Sequence, residues 1–264
     1  MGRILTPLRW LALALLPGCI DWDAAGKCYG DASCASTERC TGASRCSGLA
    51  APICEGFEDP LLSPLWYVFD NPPAATVTLD ASRACRGGSS LHVHVDALAA
   101  GASARTQIQE HQSEQPTPLV DRWIRLFAYV PAASITPAHD HVVNVAQSDL
   151  PYRSITFGVA GGVLAVHNEF SIGASPVYSR TKWPADRWVC LGYHIRQGSP
   201  GQIQVSIDDV PVADLELSDE TNPSPPLSTI LFGAAFDSIP AAQDSVDLWI
   251  DEITVSGSPL DCGS

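Results

Sequence analysis

The sequence predicts an all-β fold in which two antiparallel sheets pack as a sandwich, preceded by a short cysteine-rich segment. Three observations carry this reading. Runs rich in Val, Ile, Leu and aromatics, bounded by Gly, Pro, Asn and Asp, follow one another from Cys54 to Cys262 with no sustained helical period. Several runs alternate strictly between apolar and polar residues, which is the period of a half-buried strand. Ten or more such strands over roughly two hundred residues exceed what one open sheet can hold without leaving an apolar face wet, so they must form two layers.

The chain opens with Arg3 and Arg9 before the apolar run at 10–16. That run is too short to cross a bilayer and fits the hydrophobic region of a secretory signal. It ends in Leu16-Pro17-Gly18-Cys19, which resembles the bacterial lipobox. The resemblance implies that residues 1–18 are a lipoprotein signal peptide and that Cys19 carries the lipid as the mature N-terminus. An ordinary signal peptide cut elsewhere is the alternative. The nine cysteines are odd in number; with Cys19 lipidated, Cys28, Cys34, Cys40, Cys46, Cys54, Cys85, Cys190 and Cys262 remain, an even set suited to disulfides in an oxidising compartment. The expected location is therefore the bacterial cell envelope, facing the periplasm or the exterior, with the lipid as the only membrane attachment.

Cys28, Cys34, Cys40 and Cys46 recur every six residues in a stretch of Ala, Ser, Gly and Thr. Such a stretch has too little apolar surface for a core, so residues 19–53 read as a disulfide-stapled stalk. No Cys-x2-Cys pair is present, which argues against zinc there. Composition bounds the rest. Hydrophobic residues at 45% and charged ones at 17% exclude a disordered or wholly membrane-embedded chain. A net charge of −14 is a poor footprint for nucleic acid.

Within residues 54–264 the strands come in order. Leu91, Val93 and Val95 alternate with His92 and His94. Ile124, Leu126, Ala128 and Val130 alternate with Trp123, Arg125, Phe127 and Tyr129. Ile203, Val205 and Ile207 point inward and lead through Asp208-Asp209 to residues 210–212, a hairpin signature. Further strands are expected at 104–109, 141–147, 154–160, 163–170, 188–196, 228–236 and 246–255.

Cys54-Glu55-Gly56-Phe57-Glu58-Asp59, Arg86-Gly87-Gly88-Ser89-Ser90-Leu91, Trp188-Val189-Cys190-Leu191 and Trp249-Ile250-Asp251-Glu252-Ile253 together resemble the concanavalin A-like, or laminin-G-like, superfamily of jelly rolls. The resemblance implies that an early Phe-Glu-Asp strand lies near a final Ile-Asp-Glu-Ile strand, and that one sheet binds or cleaves carbohydrate. Residues 104–109 are similar to the groove strand of alginate-lyase-like polysaccharide lyases. Alternation puts Arg105, Gln107 and Gln109 on one face, where a guanidinium fork and two amides suit sugar hydroxyls and a carboxylate. Asn144 and Gln147 fall where that family has a glutamine-histidine strand, without its histidine. Residues 231–237 fall where it has a catalytic tyrosine, and carry Phe instead. Proton abstraction beside a uronate needs a base and an acid within hydrogen-bond reach, so binding is expected ahead of cleavage and no catalytic residue is assigned. No Glu-x-Asp-x-x-Glu run supports glycoside hydrolysis. A lyase with rearranged catalytic groups and a protein-interaction module are the competing readings.

The same resemblance implies a structural Ca2+ held by Asp251 with Glu58 or Asp59, hard oxygen ligands being suited to that ion. The alternative for Asp251 is a hydrogen bond to backbone or arginine. Asp251 is expected to share a strand face with Trp249, Ile253 and Val255. His92 and His94 read as a solvated strand surface rather than as a zinc site. Trp123, Phe127 and Tyr129 form an aromatic stripe that either stacks sugars or is covered by a loop or the second sheet. Cys54 and Cys262 bracket the strands that the resemblance places together. A bond between them would leave Cys85 with Cys190, one of three connectivities open to four cysteines.

Overall fold

The computed structural model describes residues 53–70, 74–110, 121–146, 153–170, 175–222, 227 and 229–263. The signal segment, the stalk cysteines, Cys19 and Gln147 lie outside them. The strands are β1 (Ile53–Glu55), β2 (Trp66–Asp70), β3 (Ala75–Asp80), β4 (Ser90–Val95), β5 (Ala104–Glu110), β6 (Asp121–Tyr129), β7 (His139–Ala146) and β8 (Ser154–Ala160). They continue as β9 (Val163–Asn168), β10 (Val177–Lys182), β11 (Trp188–Arg196), β12 (Gly198–Ile207), β13 (Val210–Pro211), β14 (Leu217–Asn222), β15 (Thr229–Phe236) and β16 (Val246–Ser256). Among the described residues there is no α-helix.

Two antiparallel sheets result. The nine-stranded sheet runs β13-β12-β11-β6-β16-β4-β3, with β1 on β16 and β14 on β12; the seven-stranded sheet runs β10-β9-β8-β7-β15-β5-β2. The alternation read from sequence sets the faces. Leu91, Val93, Ile124, Leu126, Ile203 and Ile250 project from the first sheet onto Ile108, Val143, Val145, Ile155, Phe157 and Phe232 of the second, all almost fully buried. Each such aliphatic or aromatic side chain withdrawn from water stabilises the sandwich by about 1.5–3 kcal/mol. The Asp208-Asp209 hairpin forms as expected. Ile207 faces Val210, and both turn residues have positive φ, 52° and 66°, which two-residue loops with the right twist demand.

An early strand does lie beside the last one, but it is β1, Ile53–Glu55, just ahead of the expected Phe57–Asp59, which forms no strand; Cys54 stands opposite Thr254. The expected face of Asp251 needs correction. The β16–β6 register shifts between Asp251 and Thr254, and Glu252 sits at φ 51°. This bulge reverses the parity of the strand, so Ile253 and Val255 enter the core while Asp251 stays with Trp249 on the outer face. The cysteine pairing is corrected as well. Cys190 bonds to Cys262, not to Cys85, because the tail after β16 crosses to the β12–β13 turn beside β11, where the Cys262 amide donates to Asp209 Oδ1 at 2.8 Å. Cys54 and Cys85 are also disulfide-bonded.

The aromatic stripe of β6 lies on the outer face of the nine-stranded sheet and is covered piecemeal. Trp123 stacks on His194 at 3.9 Å, and Phe127 is buried among Cys85, Cys190 and Cys262. Tyr129 meets Trp188 and Trp249 edge-on, with the Arg83 guanidinium 3.9 Å from its ring centroid.

Candidate functional site

The outer face of the seven-stranded sheet collects the residues that the lyase resemblance singled out. Register across the sheet defines its rows. Tyr67 of β2 faces Gln109 of β5, which faces Leu231 of β15, then Asn144 of β7, Thr156 of β8 and His167 of β9. One step along, Phe69 faces Gln107, which faces Gly233, while Gly158 faces Ala165 and then Tyr178 on the far strands. Arg105 faces Ala235 in the next row. The arginine and both amides therefore do share a face, and Asn144 joins them across β15. The middle of the face is low because Gly233, Ala235, Gly158 and Ala165 carry little or no side chain. Gly233 is obligatory there: at φ 140°, a Cβ would lie 2.4 Å from the Thr106 carbonyl and 2.8 Å from Gln107 Cα.

The polar groups of this strip are unusual in being buried and unsatisfied. Gln107 is fully buried, yet neither its Oε1 nor its Nε2 has a partner among the described residues; the same is true of Asn144 Oδ1 and Thr156 Oγ1. A buried amide without partners costs about 1–3 kcal/mol per group, so a group that supplied those bonds would be held there favourably. At the β2 end, the Tyr67 hydroxyl donates to Gln109 Oε1 at 2.8 Å, and burial raises the phenol pKa above its ordinary value. Arg105 reaches Asp237 at 3.6 Å and lies 5.6 Å from the Phe69 ring, leaving its fork partly exposed at the rim.

Among the described side chains of the strip, no base and acid stand together for proton transfer. Phe232 and Phe236, the phenylalanines of the expected tyrosine strand, both point into the core, where Phe232 meets Trp66 edge-on at 5.8 Å. Tyr67 and His167 are the titratable side chains at the two ends of one row. They are five strand spacings apart, about 24 Å at the usual 4.8 Å per strand, too far to act on one bond. Tyr67 and Phe69 were missed by the sequence reading, although Trp66-Tyr67-Val68-Phe69 is a run of strong strand formers between Pro64 and Pro72.

The expected calcium ligands are engaged elsewhere. Asp251 Oδ2 accepts from the amides of Cys85 and Arg86 at 2.8 and 2.9 Å, and its Oδ1 from the amide of Glu252 at 2.8 Å. Burial pushes its pKa up to about 7 against the pull of those amides. Glu58 Oε2 accepts from the Gly88 amide at 2.8 Å. A cation at this place would have to displace these bonds. A second cleft, about 490 Å³, opens on the nine-stranded sheet beside Trp123. There His194 Nε2 lies 3.0 Å from Asp121 and its Nδ1 3.2 Å from Gln204, whose amide donates to Glu216 at 2.9 Å.

No family model matches the chain, and no curated protein sequence matches it. Solved structures do. "Cellulose induced protein, Cip1" superposes with a TM-score of 0.62 at 16% identity, over 80% of this chain and 100% of that one. The endo-β-1,4-glucuronan lyase of the fungus Trichoderma reesei gives 0.64 at 12% identity, over 79% and 96%. The alginate lyase vAL-1 from Chlorella virus gives 0.55 at 9% identity, over 73% and 93%. At these identities the likeness is one of fold, and the chain from β1 to β16 adopts the jelly-roll sandwich found in those lyases.

Proposed function

We propose that the chain is a lipid-anchored envelope protein whose seven-stranded sheet binds a polysaccharide without cleaving it. One observation carries the binding reading: Gln107, Asn144 and Thr156 are buried beside a low strip with hydrogen-bonding atoms that have no partner among the described residues. An extended sugar chain offers the alternating hydroxyl donors and acceptors that two amides and a hydroxyl require. Phe69 and Tyr67 offer ring faces at one end, and Arg105 offers a fork to a sugar carboxylate. The fold neighbours, two of them named as polysaccharide lyases, support a glycan partner. Anchoring through Cys19 rests on the lipobox alone.

The test is binding of the disulfide-intact protein to cell-wall and uronate-containing polysaccharides. Selective binding, weakened about tenfold by Arg105→Ala for acidic chains and not for neutral ones, is the expected result. Uniform silence would overturn the reading. Lyase activity is the second reading, favoured by the Tyr67–Gln109 pair at the end of the strip. It requires new ultraviolet absorbance from an unsaturated uronate product, lost in Tyr67→Phe. A structural calcium at Asp251 and Glu58 is a separate proposal. It requires a melting temperature that rises with Ca2+ and falls with chelator, and a response that vanishes in Asp251→Ala.

A further inference from the structure

We propose that His92, His94 and Asp247 form a binding site for a divalent transition metal, with Zn2+ as its representative, on the sheet opposite the sugar strip. In sequence the two histidines read as solvated surface, and a third ligand more than a hundred and fifty residues away in the chain is not visible there. Sheet register supplies it. β4 alternation turns both imidazoles outward, and β16 pairs alongside so that Asp247 stands opposite His94 and Trp249 opposite His92. His92 Nε2 and His94 Nδ1 each lie 2.8 Å from the same carboxylate oxygen, Asp247 Oδ1. One ligand atom from each of the three residues falls within 4.8 Å of the others. Two nitrogens and an oxygen bound to one metal, at about 2.0–2.1 Å each, stand a little over 3 Å apart, so modest side-chain rotation admits the ion.

The supporting groups are those that a metal-bound imidazole needs. With Nδ1 of His94 on the metal, its proton sits on Nε2, which faces Asp96 Oδ1 at 3.3 Å. That is the carboxylate–histidine–metal arrangement that fixes the tautomer and raises ligand basicity. The His92 ring is stacked on Trp249 at 4.3 Å and 9°, and Trp249 is itself held by a 2.7 Å bond from Nε1 to Asp80. The Asp247 amide donates to Ser134 Oγ at 2.9 Å, pinning the strand at that residue. The three side chains are between a quarter and a third exposed, so the remaining coordination positions open to water. Two imidazoles with one carboxylate select zinc, nickel, cobalt or copper over calcium or magnesium, which take all-oxygen shells.

The test is titration of the disulfide-intact protein with Zn2+ by calorimetry, repeated with Co2+, whose visible spectrum reports nitrogen ligation. One equivalent of Zn2+ should bind and be weakened more than about a hundredfold in His94→Ala and in Asp247→Ala, and by about ten- to a hundredfold in Asp96→Asn. His92→Phe, which keeps the ring stack on Trp249, should lose the Co2+ band while leaving the melting temperature of the metal-free protein unchanged. Absence of Zn2+ binding, or binding unaltered in the His94 and Asp247 variants, would overturn the proposal. Because the site and the sugar strip occupy opposite sheets, either test can fail without touching the other.

Discussion

The two outer faces of the sandwich are made by the same alternation, yet they treat their polar residues in opposite ways. On the nine-stranded sheet, charged and polar side chains beneath the 83–90 segment and the tail are tied to one another. Asp251 takes three backbone amides, Arg125 reaches Thr254 and the Asp261 carbonyl, and Arg86 lies over Phe127 with Glu252 3.7 Å away. On the seven-stranded sheet, Gln107, Asn144 and Thr156 are equally buried and their key atoms have no partner among the described residues. Both faces bury polarity. Among the described residues, the first leaves only single nitrogens of Arg86 and Arg125 without a hydrogen bond, whereas on the second both amide atoms of Gln107 lack one. Burial with satisfaction is how a loop is fastened down; burial without it marks a face organised around something else.

The largest expected effect breaks the satisfied face. Arg86→Met removes a guanidinium from beside Glu252, whose side chain is at zero exposure, and should cost about 3–5 kcal/mol in denaturant unfolding. A loss below about 1 kcal/mol would mean that the network is not holding the segment.

Asp140 sharpens the contrast, because it belongs to the incompletely bonded sheet. Its Oδ1 has no partner among the described residues, and burial raises its carboxyl pKa to about 7. Between about pH 4 and pH 7 the folded chain holds a proton that the unfolded chain has released, so stability falls as pH rises through that window. Asp140→Asn removes the penalty. The variant should match the parent near pH 4 and exceed it above pH 7 by up to about 4 kcal/mol, read from melting at both pH values. A pH-independent difference would show that ionisation at residue 140 is not the cause.

The smallest effect tests the open face itself. Gln107→Leu replaces an unsatisfied amide with an apolar group of similar size, and should leave stability unchanged or raise it by about 1 kcal/mol while abolishing polysaccharide binding. The same exchange on the satisfied face would destabilise. If Gln107→Leu unfolds the protein, the amide has a structural role and the comparison fails.

Legibility in the sequence followed position in the sheets. β8 and β11 lie at the expected residues, and β4, β5, β6, β15 and β16 within about two residues of them, because central strands are packed on at least one face and must alternate or run apolar. The strands missed were β2, β3, β10 and β14, which lie at the edges. β10 buries only Ser179 of its six residues, so its pattern carries almost no core signal. That omission had a functional cost, since β2 brings Tyr67 and Phe69 to the strip. Arg105, Gln107, Gln109 and Asn144 could be assembled from period-two reasoning and a family resemblance. The orientation of Asp251 could not, because a single non-glycine residue at positive φ, Glu252, inverts every side chain after it. Nor could Asp247 be joined to His92 and His94, since only the pairing of β16 with β4 makes them neighbours.

That last strand also sets the timing of folding. β16 lies between β6 and β4 and carries β1 as well, so the middle of the larger sheet has a gap until residues 246–256 are present. β4 and β6 have no direct ladder with each other through which an earlier sheet could close. A chain made from N- to C-terminus thus keeps β1, β4 and β6 apart until β16 arrives, then completes these central pairings together, with the slow kinetics of a fold built on distant contacts.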